Sequence, residues 1–365
     1  MNELSIAVLP GDGIGREVMA AAEAVLGALE ERFGLGLDLQ HHDGGAGYYR
    51  ETGAALAPGV MAACAAADAI LFGAMGLPEV RYPDGTEIAP HLDMRREMGL
   101  FAGVRPVRAL PNTPTVLADP RAAGIDFVII RESMEGLFAS RGIGAVEDDR
   151  IARETLVITR ENSERLFDFS FDLARRRRAK GRPGRVTCVD KANVFVAMAF
   201  FRKIFDERAR NFADIAADHH YVDATALDLV RKPWEFDVMV MENMFGDIIS
   251  DLGGGLVGGM GLAPCAEIGL EHALFQPAHG SAPDIAGQGI ANPTAMLLST
   301  AMMLDWLGAR HGQDALTTAG ATLEAAVDRA YANGARPHDL GGSHGTKAMA
   351  DAVIAELEDA SRTIG

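Results

Sequence analysis

Five short runs constrain this chain more than any other feature: SIAVLP (5–10), DAILFGA (68–74), FVIIRE (127–132), VTCVD (186–190) and DVMVMEN (237–243). Each is dominated by Val, Ile, Leu, Met or Phe and is too short for a buried helix. A strand without clean polar alternation is one covered on both faces, as inner strands of α/β sheets are. Helical patterns separate them: Ile14 to Phe33, Pro58 to Ala67 and Asn193 to Arg208. LDLQHHD (37–43) reads as one more strand, and Thr294 to Ala309, Leu316 to Asn333 and His344 to Ala360 make the last third mainly helical. The rhythm is βαβ and the expected class is α/β. At 365 residues about two domains are expected. No linker or repeat separates them, so they need not be continuous in sequence.

Charge narrows the partners. There are 34 basic against 51 acidic residues, a net −17, which disfavours nucleic-acid backbones and anionic membranes. The basic run RRRRAKGRPGR (175–185) reads as the solvated end of a helix and a turn, since no aromatics interleave it. No apolar stretch reaches the roughly 20 residues of a membrane span. The N-terminus shows no secretion signal. The three cysteines have no metal spacing, and Cys64 and Cys188 lie in apolar surroundings, so small buried hydrophobes in a reducing cytoplasm are expected. Between Phe138 and Thr159 the pattern is polar with short β-prone pieces, which suits an arm that pairs with another chain.

The chemistry gathers in MENMFGDIISDLGGGLVGGMGLAP (241–264), where Asp247 and Asp251 stand four residues apart. On a helix such residues are about 5–6 Å apart at Cβ, and two like charges there repel. An exposed acidic face would tolerate that. Apolar neighbours and flanking glycines point instead to a hard divalent cation, Mg²⁺ or Mn²⁺, held by carboxylates. Asp223, just after the strand HHYV, is a third candidate ligand. Arg95, Arg105 and Arg131 lie near strand or helix ends, where together they suit bidentate grip of carboxylates. Lys191 ends the strand VTCVD, and proximity to arginines and a metal would lower its pKa to suit a general base. The loop PGDGIG is G-x-G-x-G and reads as a tight strand-to-helix turn rather than a dinucleotide fingerprint. HGSAPDIAGQGIANPTA (279–295), leading into a helix N-terminus, is better placed for a phosphate or ribose.

Taken together, LPGDGIG, RREMGLFAGVRPVR, VDKANV, YVDATALDLVRKP, the aspartate stretch, HGSAPDIAGQGIANPTA and DLGGSHGT resemble the metal-dependent β-decarboxylating dehydrogenases of the isocitrate/isopropylmalate dehydrogenase family. The resemblance covers essentially the whole chain. It implies a two-domain α/β fold with a mixed sheet, not a Rossmann fold. Residues 1–100 plus 257–365 would form the larger, cofactor-binding domain and 101–256 the smaller, with the arm at about 138–159 clasping a second copy in a homodimer. Arg95, Arg105 and Arg131 would hold a 2-hydroxy dicarboxylate. Asp247 and Asp251, with the partner's Asp223, would bind the metal, and the partner's Lys191 would take the hydroxyl proton. His279, Gly280, Ser281, Ala282, Asp284, Asn292, Asp339 and Gly261 would bind NAD. A carboxylate at Asp284 would repel the 2′-phosphate of NADP.

The implied activity is NAD-dependent oxidative decarboxylation of a (2R)-malate-type acid, with 3-isopropylmalate first and tartrate or D-malate as the alternative. Two departures bear on it. The family places a tyrosine seven residues after the third arginine, and this chain has Phe138 there. Loss of that phenol implies another proton donor, impaired decarboxylation or, in another class altogether, a non-catalytic regulatory subunit. Where the family sorts substrates by the group on C3, this chain has Ile88, His91 and Leu92. Leu92 and Val194 suit an apolar pocket. His91 either meets something polar on the substrate or faces solvent.

Overall fold

The computed structural model describes residues 3–362. These form twelve strands: β1 (Leu4–Gly11), β2 (Leu37–His41), β3 (Ala69–Ala74), β4 (Ala102–Arg108), β5 (Asp126–Glu132), β6 (Ala145–Glu147), β7 (Ile151–Arg153), β8 (Arg185–Asp190), β9 (Ala216–Tyr221), β10 (Val238–Met241), β11 (Pro264–Ile268) and β12 (Ala273–Pro277). Between them run α1 (Gly15–Phe33), α2 (Ala46–Thr52), α3 (Val60–Ala66), α4 (Pro90–Glu97), α5 (Arg160–Ala179), α6 (Val196–Ala209), α7 (Val222–Arg231), α8 (Asn243–Val257), α9 (Thr294–His311), α10 (Asp314–Ala332) and α11 (Thr346–Arg362). No described helix is long and apolar enough to cross a membrane.

Ten strands make one sheet in the order β2-β1-β3-β12-β11-β4-β5-β10-β8-β9. The outer pairs are parallel, while β12–β11, β11–β4 and β4–β5 are antiparallel. This is the expected mixed sheet, and it rules out an all-parallel doubly wound arrangement. The apolar strand runs explain themselves in side-chain alternation. Ile6 and Val8 of β1, Val128 and Ile130 of β5, and Val238 and Val240 of β10 join the largest buried cluster with α1, α5, α6, α9, α10 and α11. Their neighbours face the other way: Ala7 and Leu9 meet α3, and Phe127, Ile129, Met239 and Met241 meet α7 and α8. Both faces are covered, so neither half of the alternation is polar.

Three central strands escape the apolar pattern. β4 carries two arginines and Pro106, which is tolerated because pairing to β11 ends at Val104. β11 and β12 form a hairpin at 264–277, where no strand was expected, and β11 holds a glutamate. Cys64 and Cys188 are free and buried, as expected of small hydrophobes, and Cys265 is free and buried beside Glu267. The 138–159 segment contains the two-stranded β6–β7 hairpin, fully exposed along its length, with Ile143, Val146 and Ile151 open to solvent.

Candidate active site

A row of residues across the antiparallel seam sets the site. Gly103 of β4 pairs with Glu267 of β11 on one side and Arg131 of β5 on the other, so all three side-chain positions share a face. Arg105, two residues on, shares it too. A Cβ at Gly103 would come within 2.8 Å of Ser133 Oγ and 3.1 Å of Glu267 Oε2, so the missing side chain makes room for their hydrogen bond of 2.6 Å. Arg95, in the last turn of α4, reaches the same carboxylate at 2.7 Å. Arg95, Arg105, Arg131 and Glu267 are all buried. Burial alone would raise the Glu267 carboxyl; the three guanidinium groups outweigh it and hold it below its ordinary value. Burial, helped by Arg105 and Arg95, pushes Arg131 down to about 10. One buried acid under three buried cations leaves a positive excess that calls for more anions.

Helix α8 supplies two of them. It starts from Glu242, whose side chain accepts from Phe245 N–H at 3.3 Å, an N-cap. Gly246 lets the helix lie against Arg131, since a Cβ there would sit 2.6 Å from Arg131 Cγ. Arg131 donates to Asn243 Oδ1 at 2.9 Å and pairs with Asp247. Arg105 donates to Ser250 Oγ at 2.8 Å and lies 3.8 Å from Asp247 and 3.9 Å from Asp251. The stacked aspartates are therefore relieved in part by arginines of this same chain. Burial and Asp247 still raise the Asp251 carboxyl against the pull of Arg105.

These groups line a cleft of about 290 Å³ with His91, Leu92, Phe138, His279 and Gly280. Arg95 Nε and Arg105 Nε are buried there without hydrogen-bond partners. His91 is half-buried and lines the cleft: it packs edge-on to Phe72 at 5.7 Å, and its buried Nδ1 has no partner. Burial, then Arg95 and three further arginines, depress its pKa to about 3, so it is neutral. Phe138 lies against Arg131, with the guanidinium carbon 4.9 Å from the ring centroid.

Lys191, Asp223 and Val194 do not line that cleft. Lys191 is not beside the three arginines within this chain. Its Nζ donates to Asp223 Oδ1 at 2.6 Å, and the Lys191 bond holds that carboxyl below its ordinary range. Buried Asp190 fixes the turn, accepting from Arg202 twice at 2.7 Å and from Ala192 N–H at 2.8 Å. Val194, Phe195 and Val196 beside it are exposed, as are Leu227 and Val230 on α7 and Ile248 on α8.

The cofactor candidates form a second group. PGDGIG is a tight turn whose Ile14 N–H donates to Ser281 O at 2.8 Å, and Ser281 Oγ donates to Gly76 O. Asp12 in that turn ties three loops together, accepting from Ala46, Gly47 and Gly76 N–H groups at 2.7, 2.8 and 2.9 Å. Asn292 donates to Asp339 at 3.1 Å, and a Cβ at Gly261 would sit 2.5 Å from Asp339 Oδ2. Ala282 has a left-handed φ of 37°. His279 Nδ1 meets Gly280 O at 2.9 Å while its buried Nε2 has no partner. Asp284 is exposed. An orphaned ring nitrogen beside a glycine-cradled loop fits a dinucleotide. The stacked aspartates fit a hard cation by their oxygen donors, as one part of a site: among the described residues no three His, Cys, Asp or Glu side chains gather to hold a metal.

A grip for a dicarboxylate beside hard-cation oxygens, with a dinucleotide loop at its edge, is the arrangement of an oxidoreductase that decarboxylates as it oxidises. The chain belongs to the isocitrate/isopropylmalate dehydrogenase family, whose profile matches residues 5–353. It is 41% identical over 355 residues to the 3-isopropylmalate/3-methylmalate dehydrogenase of Methanocaldococcus jannaschii, covering 97% of this chain and 99% of the relative. It is 41% identical to the 3-isopropylmalate dehydrogenase of Methanothermobacter thermautotrophicus, covering 98% and 100%. Among solved structures, an isocitrate dehydrogenase from Methylococcus capsulatus superposes with a TM-score of 0.86 at 35% identity, covering 97% of this chain and 99% of the other. This is an NAD-dependent, divalent-metal-dependent decarboxylating dehydrogenase.

Sequence reasoning missed Glu267, Ser133, Asn243 and Ser250, which orient the arginines, and it missed Glu132. The signal for Glu267 was a carboxylate inside the apolar run PCAEI. Glu132 ends β5, is buried, and accepts from Met134 N–H, Glu135 N–H and Asn162 Nδ2 at 2.6, 2.8 and 2.7 Å. Burial nevertheless raises its pKa to about 7. A carboxyl that binds its proton more tightly folded than unfolded adds stability at low pH, and that contribution fades as pH rises from about 4.5 through about 7. Glu132→Gln is expected to flatten that slope in urea melts run from pH 5 to 8; an unchanged slope would assign it to other groups.

Proposed function

We propose that this chain catalyses the NAD-dependent oxidative decarboxylation of a (2R)-malate-type 2-hydroxy acid, 3-isopropylmalate in the first instance, as a homodimer with shared active sites. One observation carries the sharing. The cleft holds three arginines and two aspartates but no lysine, while Lys191 and Asp223 sit paired beside exposed apolar residues. A second copy docked on those residues and on the β6–β7 arm would bring its Lys191 and Asp223 to this cleft. Such a dimer would also cover Val194, whose methyl groups would then face Leu92 across the C3 group of the substrate. Residues 1–100 and 257–365 carry the cofactor loop in this reading, and 101–256 the metal groups and the arm. The buried free thiols suit a cytoplasmic setting.

Charge supports the substrate class. Three guanidinium groups face Asp247, Asp251 and Glu267, so the cleft is near neutral, and a dianionic acid entering with a divalent cation keeps it so. Arg95, Arg105 and Arg131 hold the two carboxylates and exclude water from them. Lys191 takes the hydroxyl proton at Nζ, and Asp223 steadies the ammonium that results. When bound, NAD⁺ accepts the hydride from C2 and the metal lends Lewis acidity to the substrate oxygens. His279, Asn292 and Asp339 orient the dinucleotide, and Asp284 faces the adenosine ribose hydroxyls.

The second reading is a malate with a polar C3 group, as in tartrate. His91 favours it, because a neutral imidazole with an unpaired Nδ1 gains a partner from a hydroxyl and none from an isopropyl group. The complete set of arginines and aspartates speaks against a regulatory subunit. NADH formation with Mn²⁺ on isopropylmalate, D-malate, tartrate, isocitrate and homoisocitrate decides among these. Turnover on isopropylmalate, abolished by chelator and restored by Mn²⁺, is the expected result; silence on all five would overturn the proposal.

A further inference from the structure

A second cavity of about 380 Å³ adjoins the cleft, and Leu92 and Phe138 line both. Of the five tyrosines in the chain, Tyr82 is the one that lines either space. We propose that the Tyr82 phenol delivers the proton that C3 accepts after CO₂ leaves, a step for which Phe138 has no hydroxyl. The proposal rests on the decarboxylating function above and names the acid for its last step.

The ring is held in place. Tyr49 packs edge-on against it at 5.2 Å, and its backbone exchanges bonds with the 82–86 turn, Tyr82 N–H to Thr86 O and Gly85 N–H to Tyr82 O, both 2.9 Å. The hydroxyl makes no hydrogen bond among the described residues, so its proton is uncommitted. Arg141 lines the same cavity, fixed by Glu87 O at 3.3 Å and Asp93 at 3.7 Å. Burial and Asp93 raise the Tyr82 pKa while Arg141 lowers it, so the phenol is protonated at neutral pH and a cation stands by for the phenolate. His91, the other candidate on this wall, is neutral and under four arginines, a poor place from which to give up a proton.

The step balances. The electron pair freed by C–C cleavage rests in the enolate of C2 and C3. It forms the new C3–H bond as the phenol O–H breaks, directly or through one water. The phenolate stays beside Arg141 and is reprotonated from solvent through the open cavity.

Tyr82→Phe, Phe138→Tyr and the double variant test this, run in D₂O with the configuration of the deuterium at C3 of the product read by NMR. Tyr82→Phe is expected to slow turnover about a hundredfold and to scramble that configuration. Adding Phe138→Tyr is expected to restore both, which a merely structural loss would not permit. Wild-type rate and single configuration in Tyr82→Phe would overturn the assignment, as would a slow variant that Phe138→Tyr does not rescue. Wild-type enzyme silent on every acid of the panel would overturn the parent function itself, and is told apart by the absence of NADH before any substitution.

Discussion

Lys191→Met is expected to lower kcat about a thousandfold, within the 10²–10⁴ range for removal of a positioned proton-transfer group, with little change in KM. Methionine keeps the length and the apolar stem and removes only the ammonium. The turn survives, because Asp190 holds Arg202 and Ala192 N–H rather than Lys191. Asp223 loses its 2.6 Å partner and is expected to regain a more ordinary carboxyl pKa. The proposed sharing between subunits makes a sharper version possible. Asp251→Asn is expected to be inactive for a different reason, the loss of a proposed cation ligand in the cleft. Unfolding the two variants together and refolding them pairs one intact Lys191 with one intact Asp251 in the hybrid. Random pairing would then return about a quarter of wild-type activity. No recovery would mean that each chain works with its own lysine.

Glu267→Gln is expected to cost about 3–5 kcal/mol of stability, the usual penalty for removing one member of a buried ion cluster. Glutamine can still accept from Ser133, so packing is nearly unchanged, but Arg95, Arg105 and Arg131 then face one another without their shared anion. The deficit should shrink when a malate dianion is present with Mn²⁺, since its carboxylates give the guanidinium groups new partners. Urea unfolding with and without D-malate reads both effects. A loss below about 1 kcal/mol would place the pair in the range of exposed ion pairs and rule out the balancing role.

The parts of this molecule that were legible beforehand share a physical cause. β1, β3, β5, β8 and β10 are buried on both faces, so their sequences are apolar throughout and stand out. β4 and β11 are equally central, yet they carry Arg105 and Glu267 because the site is built on their faces, and the site chemistry hid the strands. The same holds for individual groups. Arg95, Arg105, Arg131, Asp247 and Asp251 were readable as a charge pattern, and the structure brings them together around one cleft. Lys191 does not join them within one chain, where it pairs with Asp223, and the proposed shared site brings it in from a second copy. His91 was ambiguous in sequence since one turn of helix offers both inside and outside. Packing on Phe72 turns it, half-buried, onto the wall of the cleft. Ser133, Asn243 and Ser250 carried no legible signal, being ordinary polar residues whose partners lie in distant segments.

The ladder that joins β12, β11 and β4 has a mechanical meaning as well. The strand that leads to the proposed dinucleotide loop and the strand that carries Arg105 are joined through β11 by hydrogen-bonded pairs, with no slack tether between them. A side chain at Gly103 would strike that ladder where Ser133 meets Glu267, so its cost is expected to fall on the grip of the acid and to be read as a raised KM.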